Sequence, residues 1–319
     1  MCPLVEIIRI NHGEHGENRP FPPLSIALGF FDGVHIGHRA VISAAVEEAE
    51  RRKCKSAVMT FHPSPKEVLG NRPEEVRYIT TVDEKMEEIG KLGVDYLFLV
   101  SFTREFAQVL PEQFVDEYLV ALNAKHVVAG FDFTYGKFGK GTMETMKEHA
   151  RGRFTQTTVE KIAIGGEKIS STTIRRMIEA GEVEQVPVFL GRHFTMEGTV
   201  VHGEKRGRTI GFPTANIDVW EKYVLPKTGV YLVRMYIHNR WVNGICNIGR
   251  RPTFQGDHRL TIEVHLLDFH ETIYGERVKL EWLKRVRDEE KFPSVDALVA
   301  QMRRDLQTAV DYFSGKESG

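Results

Sequence analysis

The chain has 319 residues, 41% of them hydrophobic and 27% charged, and its 43 basic and 44 acidic residues leave a formal net charge of −1 at pH 7. This length and composition predict a soluble globular protein whose core is large enough for two domains. The near-neutral charge argues against a protein built to coat nucleic acid, so we expect small anionic substrates and no nucleic-acid partner.

Two further features bear on location. The N-terminus has no apolar signal core, and no apolar run approaches the roughly 18 residues that span a bilayer, so we expect no membrane association. The three cysteines, Cys2, Cys54 and Cys246, are far apart and have no metal-like spacing. An odd number of scattered cysteines fits a reducing compartment, and we predict a cytoplasmic protein without disulfides.

Strand-like and helical segments alternate up to about residue 130. Helical patterns cover residues 37–53, 83–92 and 105–122. Between them lie the apolar runs LSIALG, SAVMTF, DYLFLV and HVVAG. This alternation predicts a mostly parallel, Rossmann-like α/β sheet, whose ligands bind beyond the carboxyl ends of the strands.

The segment GFFDGVHIGH, residues 29–38, lies where the first of these strands gives way to a helix. A helix start offers unpaired N–H groups and a positive dipole end, and glycines allow a polyphosphate close to the main chain. His35 and His38 are one helical turn apart, so both rings can face one phosphate chain. A metal pair or two ordinary histidines are the alternatives, although no HExxH or CxxC spacing accompanies them.

The stretch SSTTIRRMIEAG predicts a helix that begins with hydroxyl caps after Ser170 and ends at Gly181. Pro187 follows, and we place the domain boundary near residue 185, which gives domains of residues 1–185 and 186–319. Beyond it, short strand-like runs without helices predict an all-β domain closed into a small antiparallel barrel.

A terminal amphipathic helix over 294–313 is expected to pack on that barrel. Its predicted apolar stripe is Val295, Leu298, Val299, Met302, Leu306 and Val310.

Residues 203–216, GEKRGRTIGFPTAN, carry more glycine and positive charge than a connection between strands requires. Glycines permit phosphates to approach the backbone, and Lys205 and Arg206 could screen their charge. Thr214 and Asn216 lie two apart in an extended run, so their oxygens face the same side and suit a magnesium ion that also holds phosphates. A solvated loop is the alternative for the segment taken alone.

Two resemblances follow from these motifs. ALGFFDGVHIGH resembles the signature of HxGH nucleotidyltransferases, although HxGH alone also fits an aminoacyl-tRNA synthetase of the HIGH type or a pantetheine-phosphate adenylyltransferase. GEKRGRTIGFPTAN resembles the ATP and magnesium loop of riboflavin kinases, and GVY, CNIGRRPTF and IEVHLLDF follow in that family's order. Together the two halves are similar to bacterial bifunctional riboflavin kinases and FMN adenylyltransferases, over nearly the whole chain.

This resemblance implies two ATP-dependent reactions with magnesium: riboflavin to FMN in the barrel, and FMN to FAD and pyrophosphate in the first domain. It implies Glu263 as the general base of the kinase, and His35 and His38 as the groups that stabilise charge during adenylyl transfer. The implied adenylyltransferase contacts to ATP and FMN are Gly29, Phe30, Asp32, Gly33, Asp132, Ser171, Thr172 and Arg175. The implied kinase contacts to ATP are Gly203, Lys205, Arg206, Gly207, Gly211 and Pro213, with Thr214 and Asn216 as magnesium ligands.

The chain departs from the family's pattern in two places. Many relatives have a polar or acidic residue and a histidine where TFHPSP places His62 and Ser64, and asparagine is frequent where GFDFTYG has Asp132. A carboxylate at residue 132 favours metal or ribose hydroxyls over phosphate. Two other functions stay open: a flavin-sensing barrel without turnover, and a first domain that serves another acceptor or handles tRNA.

Overall fold

A computed structural model describes residues 5–13, 20–203, 211–220, 222–252 and 258–315, with the backbone alone at 250–252 and 258–259. The contacts of the chain divide it into two compact units, Met1–Ser171 and Thr172–Gly319. Within the described ranges, no helix is both long enough and apolar enough to span a membrane.

The first unit is built on a six-stranded sheet in the order β1-β4-β3-β2-β5-β8, and every neighbouring pair of its strands is parallel. These strands are β1 Glu6–Ile10, β2 Leu24–Leu28, β3 Lys55–His62, β4 Tyr96–Ser101, β5 Ala124–Gly130 and β8 Thr155–Val159. The shorter strands are β6 Thr134–Tyr135, β7 Gly141–Thr142, β9 Ala163–Ile164 and β10 Glu167–Lys168. The predicted parallel α/β sheet is confirmed.

The helices of this unit lie between the strands in chain order. They are α1 Ile36–Arg52, α2 Pro65–Leu69, α3 Val82–Gly90, α4 Pro111–Phe114 and α5 Met143–Ala150, with a π-helical segment at Val115–Val120. The turn from β2 into α1 occupies the carboxyl end of the central strand β2, where an open parallel sheet binds its ligands.

His126 on β5 is a buried titratable group of this sheet, with 2% of its surface exposed. Its Nδ1 is 2.6 Å from Thr155 Oγ1 and its Nε2 is 3.0 Å from Thr157 Oγ1. Burial first, and then the charge of Arg52, lower the pKa of His126 to about 4, against a smaller opposing effect of Glu48. The ring is therefore neutral in the folded protein at pH 7.

We expect His126 to make the first unit sensitive to acid. His126 takes up a proton near pH 6.5 in the unfolded chain but only near pH 4 in the folded protein. As the pH is lowered from 6.5 to 4, the free energy of unfolding therefore falls by up to about 3 kcal/mol. Urea unfolding at several pH values, followed by circular dichroism, measures this slope. His126→Gln should flatten the slope and the exposed control His270→Gln should not; equal slopes in all three proteins would contradict the assignment.

The second unit contains the closed barrel, in the order β11-β12-β15-β14-β13-β16. Every neighbouring pair of its strands is antiparallel, as predicted. The strands are β11 Phe194–Val201, β12 Ala215–Val219, β13 Gly229–Ile237, β14 Arg240–Pro252, β15 His258–Leu266 and β16 Arg277–Arg287. The helices of this unit are α6 Ser171–Ala180, α7 Val186–Leu190 and α8 Val295–Phe313.

Helix α8 packs on the barrel as predicted, but the predicted apolar stripe was wrong at both ends. Val295 and Val310 are 62% and 45% exposed, whereas Asp305 and Ala309 are buried. Asp305 is buried because it pairs with Arg287 of β16, at 2.7 Å between Oδ2 and Nη2. A periodicity count of apolar residues treats aspartate as solvent-facing and therefore rotates the helix away from its packed face.

The boundary between the domains stays a prediction. We placed it near residue 185, whereas the contacts divide the chain after Ser171 and assign α6 and α7 to the barrel unit. The physical reason for the earlier division lies just after α6. A Cβ at Gly181 would come within 2.8 Å of the Tyr231 hydroxyl and within 2.7 Å of Arg285 Cδ, so the chain there lies directly against the barrel.

Candidate functional site

The turn between β2 and α1 has an unusual backbone. Phe31 and Val34 both have positive φ, at 53° and 44°, and Gly33 has φ 85°. A non-glycine residue persists in this conformation only where the surrounding structure holds it. A Cβ on Gly29 would lie 2.6 Å from the Phe31 ring, so glycine at residue 29 makes room for that buried ring.

Asp32 lies inside the protein and holds this turn. Only 2% of its surface is exposed, and its Oδ1 accepts hydrogen bonds from the N–H groups of Ile79 at 3.0 Å and Thr80 at 3.3 Å. The Thr80 hydroxyl in turn accepts a hydrogen bond from Gly33 N–H at 3.1 Å. The Asp32 carboxylate therefore holds the turn through main-chain N–H groups, and its predicted contact to the nucleotide stays a prediction.

His35 and His38 come together as predicted. Their ring centroids are 3.5 Å apart and the planes are nearly parallel, at 16°. His35 is the N-cap of α1, and its Nδ1 accepts a hydrogen bond from His38 N–H at 3.2 Å. Because Nδ1 is the acceptor, the neutral ring of His35 carries its proton on Nε2. The same histidine therefore starts the helix and presents an N–H donor on its other edge.

Ser171, the last residue of the first unit, contacts this turn. Its hydroxyl donates to the main-chain oxygen of Asp32 at 2.9 Å. Thr172 is exposed and Arg175, one helical turn after Ser171, is half-buried. A hydroxyl and a guanidinium on successive turns of one helix suit an anionic group, and these contacts stay a prediction.

Asp132 is exposed just beyond the carboxyl end of β5. Its Oδ2 pairs with Lys168 Nζ at 2.7 Å, and Lys168 also lies over the Phe131 ring, 4.7 Å from its centroid. A flavin or nucleotide that contacts Asp132 would meet this ion pair, in which the lysine neutralises the carboxylate.

The departures at His62 and Ser64 have local partners. Ser64 is buried and caps α2, with its hydroxyl accepting from Lys66 N–H at 3.3 Å, and its own N–H donates to the Tyr78 hydroxyl at 3.0 Å. The His62 ring is 6.2 Å from that of Tyr78. Burial, and then the charge of Lys85, lower the pKa of His62, so this ring is neutral at pH 7.

The second cluster lies where β12 begins beside β15. Asn216 is opposite Glu263 in the register of these strands, and the Thr214 hydroxyl donates to Glu263 Oε2 at 3.4 Å. Glu263 is half-buried while Ile262 and Val264 on either side are buried, as the alternation predicts. Two motifs far apart in sequence thus place a carboxylate, a hydroxyl and an amide together.

Two described glycines of the glycine-rich segment, Gly203 and Gly211, have distinct constraints. A Cβ on Gly203 would lie 2.1 Å from Asn216 Nδ2, so any larger residue at 203 would displace that amide. Gly211 has φ 87°, and Pro213 O accepts a hydrogen bond from His265 Nδ1 at 2.8 Å. Lys205, Arg206 and Gly207 lie outside the described residues, so their contacts to ATP stay a prediction.

Sequence reasoning missed several residues around both clusters. Thr80 and Lys85 hold the first turn from a distant segment. Asn247 lies opposite Glu263 on β14, and a Cβ on Gly249 would lie 2.6 Å from Glu289 Oε1. One signal was available: Lys85 occupies the apolar face of α3, between Val82 and Ile89 in the helical repeat, where a lysine is unusual.

Comparison with known proteins matches the two halves of the chain to two different families. The family model for FAD synthetase matches residues 19–173 and that for riboflavin kinase matches residues 190–313. A bifunctional riboflavin kinase/FMN adenylyltransferase of Bacillus subtilis is 45% identical, covering 97% of this chain and 99% of that protein. That of Escherichia coli is 37% identical, covering 90% of this chain and 92% of its own.

A solved structure resembles the whole chain as well. It is the crystal structure of a protein from Streptococcus pneumoniae described as a macrolide-efflux protein, with a TM-score of 0.87 and 35% identity, covering 95% of this chain and 99% of that one. Because both family domains occur in this order and the identity to the curated relatives extends over nearly the full length, the chain belongs to the bifunctional riboflavin kinase/FMN adenylyltransferase family, which makes FMN from riboflavin and FAD from FMN.

Proposed function

We propose that the two reactions take place at the two clusters described above, each with its own ATP. Adenylyl transfer to FMN occurs at the turn that carries His35 and His38, and riboflavin phosphorylation at Glu263, Thr214 and Asn216. The proposal is carried by the side-chain set at each cluster: a stacked histidine pair at a helix start in the first unit and, separately in the second, a carboxylate held beside a hydroxyl and an amide. The first suits polyphosphate, and the second suits a hydroxyl that must lose a proton.

At the adenylyl site, the phosphate of FMN is already a charged nucleophile and needs no base. The work is to stabilise charge on the α-phosphate of ATP and on the departing pyrophosphate. His35 and His38 offer ring N–H donors for this, and the first N–H groups of α1 add their dipole. Ser171, Thr172 and Arg175 would bind further phosphate oxygens, while Gly29, Phe30, Gly33 and Asp132 shape the nucleotide and flavin side.

At the kinase site, Glu263 would take the proton from the ribityl 5′-hydroxyl of riboflavin as that oxygen attacks the γ-phosphate of ATP. The Thr214 hydroxyl, 3.4 Å from the Glu263 carboxylate, keeps that carboxylate oriented in the free protein. Gly203 and Gly211, with Lys205, Arg206, Gly207 and Pro213 of the same loop, would surround the triphosphate. Phosphoryl transfer passes through a loose transition state, so positioning contributes most of the acceleration.

Magnesium fits this second cluster. Thr214 and Asn216 supply neutral oxygens that face the same carboxylate, and the main chain at Gly203 approaches the Asn216 amide closely. Magnesium prefers oxygen ligands and usually keeps phosphate oxygens and water among them. Bound there, it would screen the charge of the ATP phosphates. No group of three or more His, Cys, Asp or Glu side chains converges as metal ligands in the part of the chain that the structure describes.

We also propose that the protein works in the cytoplasm on small molecules, without a nucleic-acid partner. Cys54 and Cys246 are free thiols, in keeping with a reducing compartment. The balanced charge argues against a nucleic-acid partner.

The test is a time course on the purified protein with riboflavin, ATP and magnesium, with the flavins separated by chromatography. We expect FMN to appear first and FAD to follow, and a chelator that removes magnesium to stop FMN formation. A barrel that only senses flavin would leave riboflavin unchanged while supplied FMN still became FAD, and that result would overturn the kinase half of the proposal.

A further inference from the structure

Lys85 is a buried cation that neither site uses directly. It lies in the middle of α3, and 3% of its surface is exposed. Its ammonium group donates hydrogen bonds to Phe30 O at 3.1 Å, Thr60 Oγ1 at 3.2 Å and Phe61 O at 3.3 Å. It also lies over the Phe30 ring, 4.7 Å from the centroid. Three oxygens thus use the full donor capacity of the group.

These contacts join the carboxyl ends of the two central strands. Phe30 directly follows β2 and begins the turn that leads to His35, while Thr60 and Phe61 lie near the end of β3. The Thr60 hydroxyl also donates to Phe30 O, at 2.9 Å. One main-chain oxygen therefore accepts from both a hydroxyl and an ammonium, and this fixes where the turn leaves the sheet.

Helix α3 and the residues before it hold the turn at two further points. Thr80 contacts Asp32 and Gly33, as described above. Glu88 pairs with Arg39 at 2.5 Å between Oε2 and Nη2, and Arg39 Nε donates to Val34 O at 3.2 Å. Contacts from one segment thus reach the beginning, middle and end of the turn.

Packing alone does not explain why a lysine is buried at residue 85. Burying an ammonium group costs several kcal/mol, and a methionine of similar length would fill the same space without that cost. What methionine lacks is the ability to bind main-chain oxygens at the end of two strands. The positive φ values of Phe31 and Val34 make this contact valuable, because such a turn keeps its shape only when its surroundings hold it.

We propose that Lys85 is a positioning residue for adenylyl transfer: by holding the Phe30 carbonyl against the end of β3, it sets the turn so that His35 and His38 present their N–H donors to the same phosphate chain. This inference rests on the proposed role of the two histidines. A displacement of about 1 Å in a group that stabilises the transition state is enough to cost on the order of 100-fold in rate.

The charge of Lys85 adds a pH dependence. Burial lowers the pKa of Lys85 to about 8, against an opposing effect of the Asp32 carboxylate. Other titratable groups that face this region include His62 at the end of β3, the Tyr78 hydroxyl, whose pKa burial raises, and the Glu67 carboxylate, which accepts a hydrogen bond from that hydroxyl. His62 titrates below pH 7 and Tyr78 well above pH 10, so loss of adenylyl transfer as the pH rises through about 8 would belong to Lys85.

The experiment compares Lys85→Met and Thr60→Val with the wild type and with the exposed control Lys147→Met. FAD formation from supplied FMN is measured over pH 6.5–9.5, and FMN formation from riboflavin reports on the barrel unit. We expect Lys85→Met to lower kcat for FAD formation about 100-fold with a smaller change in KM, and to lose the decline near pH 8. Thr60→Val removes one donor to the Phe30 carbonyl, so it should also lower kcat for FAD formation, by a smaller factor than Lys85→Met.

His38→Ala is measured in parallel to separate the two levels of inference. If His38→Ala is inactive in FAD formation while Lys85→Met and Thr60→Val keep the wild-type kcat and pH profile, the inference about Lys85 is overturned and the histidine assignment stands. If His38→Ala forms FAD at the wild-type rate, the assignment of the site itself is wrong. Should Lys85→Met fail to fold, Thr60→Val decides: an unchanged kcat overturns the proposal, and a lowered kcat with normal FMN formation supports it.

Discussion

Replacing His38 by alanine is expected to stop the protein at FMN. The variant should convert riboflavin to FMN at the wild-type rate, while FAD formation falls by about 10²- to 10³-fold, the usual effect of losing one donor that stabilises transition-state charge. The reason is the stacked pair: with the His38 ring 3.5 Å from that of His35, its removal leaves one ring N–H where two could act on the same phosphate chain.

The measurement is a pair of initial rates, one with riboflavin and one with supplied FMN, each at saturating ATP. His38→Asn serves as a graded control, because its amide keeps an N–H donor near the same place and should retain part of the activity. His270→Ala, an exposed histidine of the other unit, should behave as wild type. A folded His38→Ala protein that makes FAD at the normal rate would remove this histidine from the mechanism.

The central strands of the first sheet could be predicted from sequence because they are buried on both faces. A short apolar run such as the one that forms β2, bounded by turn residues, predicts a buried strand, and β2 is buried at all five positions. The edge strands were missed for the opposite reason. β8 reads Thr-Gln-Thr-Thr-Val and is fully buried at none of its positions, so its sequence resembles that of a loop. It nevertheless carries the hydroxyls that contact His126.

The same distinction applies to the candidate site. His35 and His38 are three residues apart at the start of α1, and that spacing is enough to predict neighbouring rings. The partners that hold their turn come from residues such as Thr80 and Lys85, about fifty positions further along the chain, and nothing in the local pattern indicates which turn they contact. Asp32 illustrates the consequence: a motif identifies the residue, but only the fold shows that its carboxylate points inward.

The barrel site depends on strand register in the same way. The alternation around Glu263 predicts its outward side chain, whereas its position opposite Asn216 follows from the pairing of β12 with β15. That pairing joins segments separated by more than forty residues, and a shift of one residue would turn Glu263 away from Thr214. Family resemblance supplied what the local pattern did not.

Replacing Glu263 by glutamine is expected to abolish most of the kinase activity and leave adenylyl transfer intact. Glutamine is nearly the same size and keeps an oxygen that accepts the Thr214 hydrogen bond, but it has no basic oxygen to take the riboflavin proton. The loss of a general base typically costs about 10²- to 10⁴-fold in rate. FMN formation should fall within that range, while supplied FMN is still converted to FAD.

The matched control is Glu276→Gln, an exposed carboxylate in the same unit that lies outside the cluster. It should retain both activities. A loss seen only in Glu263→Gln would then come from removing a carboxylate at residue 263, since removing one elsewhere in the unit has no effect. Since phosphoryl transfer relies mainly on positioning, the fold-change also measures how much of the acceleration comes from the base. FMN formation by Glu263→Gln at close to the wild-type rate would mean that the hydroxyl loses its proton without help from this residue.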